Sequence, residues 1–128
     1  MRKIILDTNF LLIPAQHHVD IFAEIERLFP EKYELYVLQK SLQELEKVAA
    51  EGRQKEQLAV KLTKALLKTQ NIKILAIDQE GSQASVDDLL VFMAKEGYIV
   101  ATQDQGLKRR IKHQLVTLRQ KKYLFFNK

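Results

Sequence analysis

Residues 4–12 have the sequence IILDTNFLL, a short apolar run that stops at Asp7, Thr8 and Asn9. This run predicts a buried strand over 3–7 that passes directly into a helical turn, and Pro14 should limit that turn to 10–13. In open parallel sheets, ligands bind beyond the carboxyl ends of the strands. Asp7 is therefore either a helix cap or a ligand for a cation, and the rest of the chain has to distinguish these roles.

The composition is that of an ordinary globular protein, with 46% hydrophobic and 29% charged residues in 128. The length predicts a single domain over 1–128 that buries roughly two-thirds of the surface of the unfolded chain. The chain has no cysteine, which excludes a disulfide-linked partner and a thiolate zinc site and favours a reducing compartment. The N-terminal apolar run is too short for a signal peptide, and no run approaches membrane-spanning length. We therefore expect a soluble, cytoplasmic protein with no membrane partner.

Strand and helix patterns alternate along the chain. Further strands are predicted over 33–38, 72–77, 98–102, 114–118 and 122–126, the last two as a hairpin around Gln120 and Lys121. Helices are predicted around 19–29, from a Ser41–Glu44 capping box to Gly52, over 54–69 with an apolar stripe of Leu58, Leu62, Ala65 and Leu66, from Ser85 to Gly97, and over 106–113. Gly81 and Ser82 are predicted to form a loop. This alternation predicts an α/β fold, a three-layer α/β/α sandwich with a mostly parallel central sheet.

Acidic residues fall where four of these elements should reach one edge of the sheet. They are Asp7 after the first strand, Glu44 on the helix after the second, Asp87 with Asp88 at the start of a later helix, and Asp104 just past another strand. Taken singly, each has an ordinary explanation as a helix cap or as an acid near a helix N-terminus. Taken together, clustered carboxylates repel one another unless a cation lies among them. A set of ligands made only of oxygen suits Mg²⁺ or Mn²⁺.

The net charge is +5, and no acidic residue follows Asp104. A basic end of this kind is either a solvated surface or a phosphate-binding one. The candidate residues for binding a nucleic acid are Lys108, Arg109, Arg110, Lys112, Arg119, Lys121 and Lys122. Tyr123 is a candidate for stacking on bases, whereas Tyr36 and Tyr98 on strands are better explained by packing.

With its acids in this order, the chain resembles the PIN-domain nucleases, a family of small α/β metal-dependent ribonucleases, over nearly its whole length. The similar motifs are LDTN at 6–9, LQEL at 42–45, VDDLL at 86–90 and TQD at 102–104. The doubled Asp87-Asp88 and the LKRR run at 107–110 are most similar to the subgroup related to the small-subunit ribosomal-RNA processing nucleases.

The resemblance implies a PIN-like fold and a role for each motif residue. Its metal-binding catalytic tetrad would be Asp7, Glu44, Asp87 and Asp104, with Asp88 as an accessory metal-binding acid and Thr8, Asn9 and Thr102 as supporting residues. The implied cofactor is one or two Mg²⁺ or Mn²⁺ ions. The implied partner is RNA, in this subgroup pre-rRNA or a ribosomal particle, and related domains often form homodimers.

The resulting hypothesis is a metal-dependent endoribonuclease in rRNA or other RNA processing. Three alternatives stay open at this point: a catalytically silent RNA-binding ribosome-assembly factor of the same fold, a toxin-type PIN ribonuclease, and a phosphoryl-transfer domain with Asp7 as its nucleophile. The last is the weakest, because haloacid-dehalogenase-like phosphatases need a second aspartate two residues further on, where this chain has Asn9.

Overall fold

A computed structural model describes residues 1–77 and 84–128. The strands are β1 (Arg2–Leu6), β2 (Tyr33–Leu38), β3 (Lys73–Leu75), β4 (Ile99–Ala101), β5 (Leu115–Arg119) and β6 (Tyr123–Asn127). The helices are α1 (Thr8–Leu11), α2 (Ile13–His17), α3 (Ile21–Leu28), α4 (Gln39–Glu51), α5 (Gln54–Thr69), α6 (Val86–Lys95) and α7 (Gln105–Ile111). The loop predicted at Gly81 and Ser82 lies outside the described residues.

The strands form one sheet in the order β3-β2-β1-β4-β5-β6, parallel except for the β5–β6 pair. Side chains of β1 alternate between two hydrophobic clusters, as the pleat of a strand requires. Ile4 and Leu6 pack with residues from α1 to α5, whereas Ile5 packs with residues of α6 and α7. Helices therefore cover both faces of the sheet, which confirms the predicted three-layer fold.

The direction in which strands are added reverses at β1. The chain runs outward from β1 to β3 and then returns to place β4 on the other side of β1. The Asp7 amide donates to the Ala101 carbonyl at 2.9 Å, and the Thr102 amide donates to Val116 at 3.0 Å, so the pairing continues to the carboxyl ends of these strands. This reversal opens a crevice between the ends of β1 and β4, which is where such sheets bind ligands.

The first helical segment is a short turn, as predicted, but it spans Thr8–Leu11 and Pro14 does not end it. A four-residue helix, α1, is followed almost at once by α2, in which Pro14 occupies the first turn. Proline is tolerated there because a first-turn N–H has no intrahelical partner to lose. Pro14 thus belongs to the start of the second short helix.

The predicted capping box of Ser41 and Glu44 was wrong. Helix α4 begins at Gln39, directly after β2, and its N-cap is Leu38. Ser41 is consequently a fully buried residue inside the helix. Glu44 lies in the second turn, beyond the part of the helix where its carboxylate could cap the N-terminus.

Helix α5 has the predicted bounds, but of its predicted apolar stripe only Leu66 packs against the core in the described part of the chain. Leu58 is 59% exposed and Leu62 43% exposed. The buried positions are Val60 and Thr63, and the Thr63 hydroxyl donates to backbone carbonyls, including that of Leu11 at 3.3 Å. The two exposed leucines line a cavity of about 600 Å³ between α2 and α5. The helical spacing of apolar residues predicts that a helix has an apolar face, but it does not predict which part of the protein packs against that face.

Several local predictions were confirmed. Gly52 follows the end of α4, the Ser85 hydroxyl caps α6 by accepting from the Asp88 amide at 3.1 Å, and Gly97 adopts a φ of +97°. The β5–β6 hairpin turns at Gln120 and Lys121, both with φ of +55°. Within residues 1–77 and 84–128, no helix is long and apolar enough to cross a membrane.

Candidate active site

A pocket of about 150 Å³ opens at the carboxyl ends of β1 and β4. Its lining residues are Asp7, Thr8, Asn9, Glu44, Val48, Asp87 and Asp104. The structure therefore brings together four of the acids singled out in the sequence, from four different elements. In the described part of the chain, none of the residues lining the pocket is basic.

Asp7 is the most deeply held of these acids, with only 5% of its surface exposed. Its Oδ1 accepts from the Thr8 amide at 2.7 Å, which caps α1, and its Oδ2 accepts from the Thr102 hydroxyl at 2.8 Å. Each carboxylate oxygen has a second acceptor site, so both remain able to contact a cation. The two explanations considered for Asp7, cap and ligand, are thus compatible.

In the absence of a cation, the surroundings of Asp7 raise its pKa above that of a free aspartate. Burial raises the pKa of the Asp7 carboxyl, and the nearby charges of Asp87 and Glu44 raise it further, while the hydrogen bonds from Thr102 and Thr8 lower it. Withdrawal of a carboxylate from water disfavours ionisation. A cation in the pocket would reverse this preference.

Glu44, on α4, is held in position by a residue of α1. Its Oε1 accepts from the Thr8 hydroxyl at 2.6 Å. Thr8 is itself buried, so a buried hydroxyl donor fixes the glutamate towards the pocket. Val48, one turn further along α4, contributes an apolar wall that sequence reasoning did not identify.

Thr102 connects two of the acids. It is fully buried, its hydroxyl donates to Asp7, and its Oγ1 accepts from the Asp104 amide at 3.1 Å. Asp104 in turn caps α7, because its Oδ1 accepts from the Leu107 amide at 2.8 Å. One oxygen of Asp104 is thus used for the cap, while the residue still lines the pocket.

Replacing Thr102 with valine is expected to lower the free energy of unfolding by about 1–3 kcal/mol, because it removes a buried hydroxyl and leaves two polar partners unsatisfied. Thr102→Ser, which keeps the hydroxyl, is the matched control and should lose much less. Urea unfolding followed by circular dichroism measures both variants. Equal losses would show that the methyl group, and not the hydroxyl, is responsible.

Asp87 and Asp88 have different environments. Burial raises the pKa of Asp87, as do the charges of Asp104, Glu44 and Asp88, while Arg110 opposes them. Asp88 lies outside the pocket lining and accepts from Arg110 Nη2 at 2.9 Å. This contact, followed by those with Ser85, lowers the pKa of Asp88. Of the doubled aspartates, Asp87 is the one that faces the other acids.

The predicted RNA-binding residues differ in their surroundings. Arg110 is paired with Asp88, whereas Lys121 and Lys122 line a separate cavity that also includes Asp20 and Glu24. The rings of Tyr36 and Tyr98 pack edge to face with centroids 5.4 Å apart, as expected for packing residues.

The donor set suits a hard divalent cation that keeps much of its water. In the described part of the chain, no group of three or more Asp, Glu or His side chains is arranged to hold an ion by itself. Mg²⁺ is usually bound by one or two carboxylates and several waters. Asp7 and Asp104, joined through Thr102, are a pair of carboxylates that could hold such an ion.

The fold and this pocket together define a class of α/β domains. In this class an acid-lined cleft lies where the strand order of a mostly parallel sheet reverses. Residues 4–121 match the family described as PIN like domain. The chain belongs to that family.

Two proteins of known name are similar in sequence. Ribonuclease VapC4 of Methanocaldococcus jannaschii is 37% identical over 130 residues, covering 96% of this chain and 95% of that protein. The rRNA-processing protein FCF1 of Saccharomyces cerevisiae is 33% identical over 112 residues, covering 86% of this chain. The match spans about half (54%) of FCF1.

Two solved structures share the fold. The PIN domain endonuclease Utp24 has a TM-score of 0.73 at 23% identity, covering 95% of this chain and 88% of that one. A domain of a functionally unknown protein from Methanocaldococcus jannaschii has a TM-score of 0.59 at 20% identity, covering 93% and 92%. These likenesses confirm the PIN-like α/β architecture.

Proposed function

We propose that this chain is a divalent-metal-dependent endoribonuclease. The observation that carries the proposal is the convergence of Asp7, Glu44, Asp87 and Asp104 on one pocket. Burial and mutual repulsion raise the pKa values of Asp7 and Asp87, so the group is poorly suited to exist as separate anions. A divalent cation resolves that conflict by neutralising them.

In this proposal Asp7 and Asp104 hold Mg²⁺ or Mn²⁺ directly, while Glu44 and Asp87 act through water or a second ion. Asp88, paired with Arg110 at the outer side, has at most an accessory part. When bound, one or two such ions supply an activated water and stabilise charge on the leaving oxygen of a phosphodiester.

The supporting residues fix the orientation of the acids. The Thr8 hydroxyl donates to Glu44 and the Thr8 amide donates to Asp7, which caps α1. The Thr102 hydroxyl donates to Asp7, and its oxygen accepts from the backbone amide of Asp104. Asn9 lines the same pocket and would contact the water or phosphate there. Rigid placement of this kind keeps the carboxylates in position before substrate binds.

The relatives favour RNA as the substrate. One of them is named a ribonuclease and another an rRNA-processing protein. We propose a role in RNA processing in the cytoplasm, with pre-rRNA or a ribosomal particle as the partner. We also propose that the chain forms a homodimer, which light scattering would measure. A subset of the basic residues after Asp104 would contact the RNA backbone.

Incubation of the full chain with a labelled single-stranded RNA tests the proposal. We expect internal cleavage in millimolar Mn²⁺ or Mg²⁺ and none after addition of EDTA. If the chain binds RNA and the ion but leaves the RNA intact, the silent assembly factor becomes the better description. Formation of an aspartyl adduct with beryllofluoride would instead indicate phosphoryl transfer through Asp7. A toxin-type role is distinguished by growth arrest on expression with the acids intact.

A further inference from the structure

The β5–β6 hairpin presents an exposed face that is both aromatic and basic. In the antiparallel register Arg119 lies opposite Tyr123, and Thr117 lies opposite Phe125, and directly opposed residues share one face of a sheet. Tyr123 is 38% exposed and Phe125 39% exposed, whereas Leu124 between them is buried. The Arg119 guanidinium lies 4.0 Å from the centre of the Phe125 ring. We refer to Arg119, Tyr123 and Phe125 as the hairpin face.

The hairpin face is on the side of the sheet that carries α7. Leu115 shares the orientation of Arg119, four residues along β5, and it packs in the same cluster as Leu107 of α7. The next residue of α7 is Lys108. Burial, and then the charge of Arg119, lower the pKa of Lys108, while the charge of Asp104 raises it. The Lys108 amide donates to the Asp104 carbonyl at 3.0 Å, so Lys108 lies one helical turn from a pocket acid and next to Leu107, which packs in the cluster of Leu115.

A hydrogen bond fixes the hairpin relative to the pocket. The Gln103 side-chain oxygen accepts from the Leu118 amide at 2.6 Å. Gln103 directly precedes Asp104, and Leu118 directly precedes Arg119. The loop that carries a pocket acid is thus attached to the strand that carries the exposed guanidinium, a contact that sequence reasoning did not identify.

We propose that the hairpin face and Lys108 bind a single-stranded segment of RNA and direct it to the acid-lined pocket; this inference rests on the proposed ribonuclease function. Exposed rings offer stacking surfaces for unpaired bases, and an arginine on a ring adds a cation beside them. No acid follows Asp104 in the sequence, and the acid that contacts β6, Glu24, accepts from the backbone amide of Leu124 at 2.9 Å. Arg119 is thus the charged side chain of the hairpin face, and it would attract a phosphate backbone lying along that face. Bases inside a duplex are already stacked on one another and could not use this surface.

Other basic residues are less suited to this role. Arg110 is paired with Asp88. Lys121 and Lys122 line a cavity with Asp20 and Glu24, whose charges oppose theirs. This pair of lysines therefore provides a control with the same change in charge, close to the hairpin face but on another surface.

The stacking part is tested by replacing Phe125. Fluorescence anisotropy in EDTA measures binding of a labelled RNA of about 12 nucleotides, within the site sizes of single-strand binding proteins. We expect Phe125→Ala to weaken binding roughly 5- to 150-fold and Phe125→Trp to restore it. A duplex of the same sequence should bind more weakly than the single strand. Equal binding of single strand and duplex, or of the alanine and tryptophan variants, would overturn the stacking interaction.

The electrostatic part is tested through the dependence of affinity on salt. The double variant Lys108→Gln with Arg119→Gln should reduce the logarithmic salt slope by about 1.4, since each phosphate contact on a single strand contributes about 0.7. The control, Lys121→Gln with Lys122→Gln, should leave the slope close to that of the unmodified chain. If the slope falls for the Lys121 and Lys122 variant and not for the Lys108 and Arg119 variant, the RNA binds on the other surface and the proposal is wrong. A dimer in light scattering that dissociates on Phe125→Ala would assign the face to self-association and overturn the proposal.

Measuring cleavage in Mn²⁺ alongside binding separates this inference from the proposed function. If the unmodified chain cleaves RNA and the hairpin variants bind and cleave it equally well, RNA does not bind at the hairpin face, and the nuclease assignment stands. If no RNA is cleaved although binding depends on Phe125 and Arg119, the nuclease assignment fails and the binding surface stands.

Discussion

Asp7→Asn is expected to reduce RNA cleavage by more than about 100-fold. Loss of a residue that merely supports a metal ligand lowers metal affinity or activity about 10- to 100-fold, and Asp7 is proposed to be a ligand itself. Initial rates of cleavage in saturating Mn²⁺ measure the effect. Asp104→Asn should behave similarly.

Asp88→Asn is the matched control for this loss of activity. It removes the same charge from a carboxylate that lies outside the pocket lining and is paired with Arg110. We expect it to lose less than about tenfold in rate, within the range of an outer-shell contact. Comparable losses from Asp7→Asn and Asp88→Asn would mean that the rate depends on the total negative charge near the pocket and not on coordination of the ion by Asp7.

The loss in Asp7→Asn should not result from unfolding. Because burial raises the pKa of Asp7, its ionised form destabilises the metal-free protein at neutral pH. Asparagine removes that charge while keeping an oxygen that can accept from Thr8 or Thr102. We therefore expect a melting temperature in EDTA equal to or above that of the unmodified chain, with an unchanged circular dichroism spectrum.

Much of the fold follows from local sequence, because strand and helix patterns alternate with clear ends. Gly52, Ser85 and Gly97 end or begin helices as their side chains and backbone freedom predict. The errors arose where tertiary contacts decide between local options. Ser41 has a good capping side chain, yet the N-cap of α4 is Leu38, three residues earlier, because β2 continues directly into the helix. Leu58 and Leu62 are spaced to lie on one face of a helix, and that face was expected to be buried. The buried residues of α5 are instead Val60 and Thr63.

The candidate site was accessible from sequence only in outline. The ends of parallel strands meet at one edge, so Asp7 and Asp104 could be expected to approach each other. The hydrogen bonds that orient the acids join distant positions. Thr8 and Glu44 are 36 residues apart, and Asp7 and Thr102 are 95 apart. The spacing of residue types along the sequence does not predict such pairings. It also does not predict the contact between Arg119 and Phe125, which makes the hairpin face both basic and aromatic.

Millimolar Mn²⁺ or Mg²⁺ is expected to raise the melting temperature, because an ion bound only by the folded chain stabilises it. At about 100 times the dissociation constant the gain is about 2.7 kcal/mol, which corresponds to roughly 10 °C for a chain of this length. Differential scanning fluorimetry with and without EDTA measures the shift. It should be absent in Asp7→Asn and retained in Asp88→Asn, whereas an equal shift in both would locate the ion elsewhere.

The same shift should depend on pH in a defined direction. The pKa values of Asp7 and Asp87 are raised in the folded chain, so protonation stabilises the metal-free fold at low pH. That contribution is lost as the pH rises through the raised values, above about pH 4. Ion binding needs the ionised carboxylates, so the stabilisation by Mn²⁺ should grow over the same interval. A metal-induced shift that is constant from acid to neutral pH would mean that neither carboxylate takes part in binding the ion.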